Sequence, residues 1–277
     1  MASGGFKSVY RISRIDGGPD EVLKIICLPV GTQSEEAAAI RDQELGRVQR
    51  ETAVLGGCVS PFVVKLGRFT PCMVDLHGAS CYAYTEELLS GSDLRDVIAI
   101  SSGQQPDEAE VRRLLHCLVS AIQVLWRDQR IVHRDIKPGN IFATRDPARP
   151  FVLIDLGIAY DVSVPGLTIR PDNVPHTPLY VPPEMLNPAF RENLSYRSDL
   201  YAAGICAYEY AAGAHPLARR DDDLRQTYTR VLHQEPHPLA QLRPDLPASL
   251  CGLIHQLLKK DPALRPANLA LLLNQLA

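Results

Sequence analysis

Two short polar stretches carry the side chains best suited to chemistry. The first is HRDIKPGN at residues 133–140, and the second is DLG at residues 155–157, which follows the apolar run FVLI. Carboxylate and amide oxygens, such as those of Asp135, Asn140 and Asp155, are ligands that Mg²⁺ prefers in proteins. A carboxylate can also orient or accept the proton of a hydroxyl group. Either stretch alone would be weak evidence for a catalytic site.

In order and spacing, the two stretches resemble the catalytic motifs of eukaryotic-type protein kinases. The resemblance covers nearly the whole chain and implies an enzyme that transfers the γ-phosphoryl group of ATP to protein hydroxyls. Asp135 would then orient the acceptor hydroxyl, Lys137 would place positive charge beside the γ-phosphate, and Asn140 and Asp155 would hold Mg²⁺. A lysine two positions after the aspartate resembles the Ser/Thr-directed members of the family, so Ser or Thr is the expected acceptor.

The same resemblance assigns a lysine to the ATP phosphates. Lys24 lies in the apolar run VLKII, where an ammonium without an anionic partner would be costly. In the family this lysine pairs with a helix glutamate, and Glu51 matches that position best, with Glu44 as the fallback. An edge-strand lysine with its head in solvent is the structural alternative.

The segment SGGFKSVY at residues 3–10 resembles the second half of a glycine-rich phosphate loop. Gly4 and Gly5 would let backbone N–H groups approach the phosphates, and Val9 would cover the adenine. Lys7 stands where the family has its third glycine and is more consistent with a solvated side chain. We therefore expect the chain to begin inside this loop, without most of the first strand.

The resemblance implies an α+β, bilobal fold, with a small antiparallel β-sheet lobe containing one helix and a larger, mainly helical lobe. The kinase domain would span residues 1–277, with an N-lobe at 1–87, a hinge at 88–91 and a C-lobe at 92–277. Near the hinge, Glu86 and Leu88 would offer backbone groups to adenine, and Thr85 would be the gatekeeper. An apparent one-residue insertion before Asp93 leaves this local alignment open.

Residues 176–184 (HTPLYVPPE) resemble the end of a kinase activation segment. Thr177 would hydrogen-bond to Asp135 and Lys137, and Glu184 would form a buried ion pair with Arg265. The aspartate of SDLYAAG, Asp199, would brace the backbone of the catalytic loop. Thr168 is a candidate autophosphorylation site, with an unmodified loop threonine as the equal alternative.

Hydrophobic periodicity supports this division into a β-rich and a helical part. Alternating or β-branched runs at 8–12, 21–27, 63–69 and 81–85 predict strands, and residues 35–55 have roughly helical spacing. From residue 92 onward the pattern is helical, most clearly at 106–126, where apolar residues recur at i, i+3 and i+4.

Composition narrows the class of partner. The formal net charge of −3 provides no basic field for nucleic acid or an anionic membrane, so protein substrates fit better. The seven cysteines include no C-x-x-C pair and are expected to be reduced thiols. No apolar run is long enough to span a membrane, and a cytoplasmic location is expected.

Two other functions remain open. A pseudokinase, acting as a nucleotide-binding or scaffolding module, would explain the altered glycine loop, although the catalytic positions named above are all present. A kinase that acts on a small metabolite or antibiotic is the second alternative, and the resemblance at Lys137 and Thr177 argues against it.

Overall fold

A computed structural model describes most of the chain. The described residues are 7–13, 15, 17–28, 35–100, 105–156, 160–161, 178–187, 190, 194–219 and 221–277. The chain divides into two compact units, one comprising the residues up to Cys58 together with Val64–Leu89, and the other comprising Val59–Val63 and Ser90–Ala277. The second boundary falls between Leu89 and Ser90, inside the predicted hinge at 88–91. The α+β fold class predicted from the sequence is confirmed.

The smaller unit is built on a four-stranded antiparallel sheet and one long helix. Its strands are β1 (Lys7–Ile12), β2 (Glu21–Cys27), β3 (Cys72–Leu76) and β4 (Ala79–Glu87), and its helix is α1 (Glu35–Gly57). The strand order is β1-β2-β4-β3. Val9 lies opposite Lys24, and Lys24 lies opposite Tyr84, so these three residues form one cross-strand row.

One predicted strand is wrong and another was missed. The run at 63–69 makes only two isolated bridges, from Val63 to Leu153 and from Leu66 to Glu86. Two positions of this run therefore pair with different neighbours, and no continuous ladder forms. The missed strand β3 joins β4 through His77 and Gly78, which both have positive φ angles, of 54° and 82°. This backbone is that of a two-residue type I′ hairpin, in which glycine is favoured.

The expectation that all cysteines are reduced is also wrong. Cys27 of β2 and Cys81 of β4 lie directly opposite each other, with their Cα atoms 4.0 Å apart, and form a disulfide. Their 54-residue separation in sequence gave no sign of this proximity. The other five cysteines are free thiols.

The larger unit is mainly helical. It contains α2 (Leu94–Ile100), α3 (Glu108–Gln129), α4 (Tyr196–Ala212), α5 (Leu224–His233), α6 (Leu239–Leu242), α7 (Ala248–Leu257) and α8 (Leu269–Leu276). The short strands β5 (Gly91–Asp93), β7 (Ile141–Thr144) and β8 (Phe151–Leu153) form one sheet, and β6 (Ile131–Val132) pairs with β9 (Tyr160–Asp161). Helices α3 and α4 pack together and bury most of their apolar side chains, which makes them the core of this unit.

Helix α3 begins at a capping box formed by Asp107 and Glu110. The Asp107 carboxylate accepts a hydrogen bond from the Glu110 N–H at 2.8 Å, and the Glu110 carboxylate accepts one from the Asp107 N–H at 3.0 Å. Both bonds satisfy N–H groups that a helix start otherwise leaves unpaired.

We expect Asp107→Ala to lower the free energy of unfolding by about 1 kcal/mol, since the variant loses the capping acceptor. Urea unfolding followed by circular dichroism measures this loss. Asp107→Ser keeps a capping oxygen and should recover most of it. Equal losses in both variants would contradict a capping role.

No helix among the described residues is long and apolar enough to cross a membrane.

Candidate active site

The loop between β6 and β7 is held in place by a buried carboxylate. Asp199, near the start of α4, accepts hydrogen bonds from the backbone N–H groups of His133 at 2.7 Å and Arg134 at 2.9 Å. Burial raises the pKa of Asp199 to about 7, while the two N–H donors act in the opposite direction. The predicted bracing role of Asp199 is confirmed.

Three polar side chains converge within this loop. The Lys137 Nζ lies 2.7 Å from Asp135 Oδ2, and the Asn140 Nδ2 donates to the same oxygen and to the Asp135 carbonyl, each at 2.9 Å. Because both amide hydrogens of Asn140 point at Asp135, its Oδ1 atom is directed away from that residue. The carboxylate of Asp135 is thus fixed from two sides, and Asn140 keeps an oxygen available as a ligand.

Asp155 is joined to this loop through the backbone. The N–H of Ile154, just after β8, donates to the Asn140 carbonyl at 2.9 Å, which places Asp155 next along the chain. Asp155 has a φ of 63°, in the left-handed region that non-glycine residues rarely occupy. Such strained positions cluster at functional sites.

His133 is a buried histidine in the same loop. The imidazole is fully buried, and burial lowers its pKa, while the carboxylates of Asp135 and Asp155 raise it. Asn140 and Asp155 supply the amide and carboxylate oxygens that suit Mg²⁺, so the donor set fits the predicted ion.

The smaller unit holds a separate buried cluster of charges. Lys24 is 7 % exposed, Glu51 on α1 is 3 % exposed and Glu86 on β4 is 4 % exposed. The Lys24 ammonium contacts the Glu86 carboxylate directly, whereas Glu51 Oε1 lies 3.9 Å away. Lys24 is therefore not a solvated edge lysine, and Glu51 is near it as predicted, but Glu86 makes the closer pair. Glu44 instead pairs with Arg47.

The predicted gatekeeper, Thr85, is wrong. Successive residues of a strand face opposite sides of a sheet, and Thr85 faces away from Lys24, with its hydroxyl accepting from the Phe69 N–H at 3.1 Å. Glu86 faces Lys24 instead. The backbone contact of Glu86 with adenine stays a prediction, and Glu86 lies within β4 opposite Val22. Leu88 follows the end of β4 and is partly exposed.

A pocket of about 520 Å³ lies beside Lys137 in the larger unit. Its walls include Ile98 and Ala99 of α2, Leu179, Tyr180 and Glu209. The Tyr180 hydroxyl donates to Glu209 Oε2 at 2.7 Å, and burial raises the pKa of Glu209. Sequence reasoning missed this pair, because nothing in the local pattern links α4 to residue 180.

The segment that carries Leu179 and Tyr180 is anchored by a neutral histidine. His215 Nδ1 accepts from the N–H groups of Leu217 and Ala218 at 3.1 and 2.8 Å, and Nε2 lies 2.9 Å from the Leu179 carbonyl. The two N–H donors require an unprotonated Nδ1, so Nε2 carries the proton. Burial lowers the pKa of His215 to about 4.

We expect this histidine to make stability pH-dependent. Its folded pKa is lower than its unfolded value, so the unfolded chain binds more protons between about pH 6.5 and 4, and stability falls as the pH drops through this window. The full effect is about 3 kcal/mol. Urea unfolding of wild type and His215→Asn across the window measures it. Parallel pH profiles for the two proteins would contradict the assignment.

The predicted ion pair between Glu184 and Arg265 is confirmed. Arg265 donates to both carboxylate oxygens of Glu184, at 2.7 and 2.8 Å, and both side chains are largely buried. Ser198 donates to the same carboxylate at 2.7 Å.

Four residues that the sequence singled out lie outside the described residues, namely Gly4, Gly5, Thr168 and Thr177. Val9 is described, and its side chain is more than half exposed on the same sheet face as Lys24.

Comparison with known proteins agrees with this geometry. A family model described as "Protein kinase domain" matches residues 1–276. The chain is 34 % identical over 277 residues to serine/threonine-protein kinase pkn3 of Myxococcus xanthus, covering 97 % of this chain and 46 % of that protein. It is 31 % identical over 189 residues to serine/threonine-protein kinase A of Synechocystis, covering 66 % and 35 %.

A eukaryotic relative gives a similar match. Dual specificity mitogen-activated protein kinase kinase mek-1 of Caenorhabditis elegans is 31 % identical over 178 residues, covering 62 % of this chain and 46 % of the relative. The chain thus spans less than half the length of each of these three proteins. With a family model matched over almost every residue, the chain belongs to the protein kinase domain family.

Proposed function

We propose that this chain is a Ser/Thr protein kinase domain that transfers the γ-phosphoryl group of ATP to protein hydroxyls, including its own. The observation that carries the proposal is the arrangement of Asp135, Lys137 and Asn140, in which one carboxylate is held by an ammonium and an amide. Phosphoryl transfer requires little covalent chemistry from a protein, and depends instead on positioning and on positive charge near the transferring group.

Each side chain has a defined part in this reaction. Asp135 orients the acceptor hydroxyl and accepts its proton, and Lys137 places positive charge beside the transferring phosphoryl group. Asn140 and Asp155 would hold Mg²⁺, which would supply positive charge to the phosphate oxygens. Lys24 binds the α- and β-phosphates, and Glu51 provides a second anion near that lysine.

Acceptor proteins would bind in the larger unit. The pocket beside Lys137 combines the apolar side chains of Ile98 and Leu179 with the partly buried carboxylate of Glu209. An extended segment of a substrate could lie there next to Asp135. The curated relatives named as Ser/Thr kinases support the same acceptor class, and the net charge of −3 favours protein over nucleic acid as the partner.

Other residues would complete the site around the nucleotide and the acceptor. Gly4, Gly5 and Val9 would enclose the nucleotide, Leu88 would contact adenine through its backbone, and Thr177 would line the acceptor site. The domain would extend over residues 1–277, and it would act in the cytoplasm, where ATP is available.

Transfer of labelled γ-phosphate from ATP and Mg²⁺ tests the acceptor class. The purified chain is incubated with a generic basic protein and, separately, with a panel of small hydroxyl-bearing metabolites and aminoglycosides. Label on the protein acceptor supports the proposal. Turnover confined to small molecules would reassign the chain to a small-molecule kinase, and ATP binding without any transfer would favour a pseudokinase.

A further inference from the structure

The buried cluster around Lys24 contains more carboxylates than ammonium groups. Two carboxylates, Glu51 and Glu86, face one ammonium in a place from which water is nearly excluded. Placing a charge in such surroundings is costly unless it is paired. With both carboxylates ionised, this cluster of Lys24, Glu51 and Glu86 carries an excess negative charge.

The ammonium of Lys24 is not shared equally between the two carboxylates. Lys24 Nζ is hydrogen-bonded to Glu86, while Glu51 Oε1 is 3.9 Å from the ammonium and has no hydrogen-bond partner among the described residues. The ring of Tyr84 lies 5.6 Å from the same ammonium. The strongest interaction of Lys24 in this structure is therefore with a strand carboxylate, and not with the helix carboxylate that the sequence led us to expect.

We propose that Glu86 competes with the phosphates of the nucleotide for Lys24, so that ATP binding displaces this carboxylate and places a proton on it. The inference rests on the proposed function, because it takes Lys24 as a phosphate ligand. It makes Glu86 a residue that sets nucleotide affinity, acting through Lys24.

The direction of the proton transfer follows from the surroundings of Glu86. Burial raises the pKa of this carboxyl group, Lys24 lowers it, Glu51 raises it and Lys7 lowers it. Arg11 lies in the same cross-strand row, through Val22, but is paired with Asp20. When phosphates engage Lys24, Glu86 loses its main counter-charge and gains anionic neighbours. Both changes raise its pKa further, and the neutral form becomes favoured.

The proposed competition makes the affinity for ATP depend on pH. Because the nucleotide-bound state holds one proton more at Glu86, affinity for ATP should rise as the pH falls. The phosphates of ATP titrate as well, so the relevant quantity is the difference between wild type and a variant that lacks the Glu86 carboxylate. That difference should be largest at high pH, where wild-type Glu86 is ionised, and should shrink as the pH is lowered.

The test is calorimetric titration of Mg·ATP into wild type, Glu86→Gln and Glu86→Met, each in two buffers of different ionisation enthalpy. Glutamine keeps the shape and removes the charge, and methionine removes the polar group altogether. The matched control is Glu21→Gln, because Glu21 is an equally buried carboxylate on β2 that faces away from Lys24 and accepts from the Arg68 N–H at 3.0 Å. Thermal melting verifies that each variant is folded.

We expect Glu86→Gln and Glu86→Met to bind ATP at least about tenfold more tightly than wild type, a change of about 1.4 kcal/mol. Wild type and Glu21→Gln should take up more protons per ATP than the two Glu86 variants. Adenosine, which has no phosphates, should bind all four proteins with similar affinity. A gain that extends equally to adenosine would show a change in pocket shape and overturn the inference.

Unchanged or weaker ATP binding in the folded Glu86 variants would also overturn the inference, as would equal proton uptake in all proteins. These outcomes are separable from a failure of the proposed function. Active phosphoryl transfer without the affinity gain would leave the function standing and remove the competition. An affinity gain in the Glu86 variants, with no phosphoryl transfer by wild type or any variant, would support the competition and contradict the proposed kinase activity.

Discussion

Replacing Asp135 with asparagine is expected to slow phosphoryl transfer by about 10²- to 10⁴-fold, the range typical of a lost general base. Asparagine can still accept hydrogen bonds from Lys137 and Asn140, which lie 2.7 and 2.9 Å from Asp135 Oδ2. The loop should therefore keep its shape while the variant loses the group that accepts the hydroxyl proton. Binding of ATP should change little, because the proposed phosphate ligand is Lys24.

The two quantities are measured separately, the transfer rate with labelled ATP and a saturating basic protein, and the ATP affinity by calorimetry. Asp146→Asn is the matched control, since Asp146 is an exposed turn aspartate between β7 and β8 that bonds to the Ala148 N–H. A transfer rate in Asp135→Asn within about twofold of the control would contradict the assigned role, because a general base contributes far more than that.

Removing the Arg265 side chain is expected to cost about 3–5 kcal/mol in the free energy of unfolding. The guanidinium donates to both oxygens of Glu184 and also to the carbonyls of Lys259 and Arg197, at 2.9 and 2.8 Å. Arg265→Ala leaves a buried carboxylate without its counter-charge and leaves those carbonyls without a donor. Both losses lower the free energy of unfolding.

Chemical unfolding of the whole chain measures this cost. Arg265→Lys keeps the charge but not the bidentate geometry, and should fall between wild type and alanine. Arg127→Ala removes an exposed arginine whose partner is the adjacent Asp128, and should leave the unfolding curve unchanged. An Arg265→Ala curve that matches the Arg127→Ala curve would rule out a stabilising role for the buried pair.

The sequence predicted the larger part of the fold because periodicity and end signals agreed. Helix α3 has an apolar stripe, an acidic start and a capping box, and its observed bounds of Glu108–Gln129 lie within a few residues of the predicted 106–126. The strand Glu21–Cys27 was predicted with its observed bounds. In these segments local preference and tertiary packing favour the same structure.

The errors arose where one residue of register matters. Thr85 and Glu86 lie on opposite faces of the sheet, since side chains alternate along a strand, so an error of one residue moves a predicted side chain to the other face. The local alignment offered no means to choose, because residues 85–87 are all polar. The cross-strand pair of Lys24 with Tyr84 puts Glu86, and not Thr85, on the same sheet face as Lys24. This pair is seen only when β2 and β4 lie side by side.

Two further features depended on contacts distant in sequence. The hairpin at His77-Gly78 did carry a signal, a glycine between two short apolar segments, and a search for two-residue turns would have found β3. The sequence carried no signal for the disulfide between Cys27 and Cys81, because this bond depends on the strand order β1-β2-β4-β3. In the same way, the pair of Tyr180 with Glu209 follows from packing alone.

The most direct test of the proposed kinase activity is phosphoamino-acid analysis of the chain after incubation with γ-labelled ATP and Mg²⁺, comparing wild type with Asp155→Ala. If Asp155 holds the metal for transfer to Ser or Thr hydroxyls, wild type yields labelled phosphoserine or phosphothreonine and the variant yields none. Equal labelling of the two proteins, or label found only on tyrosine, would contradict the account.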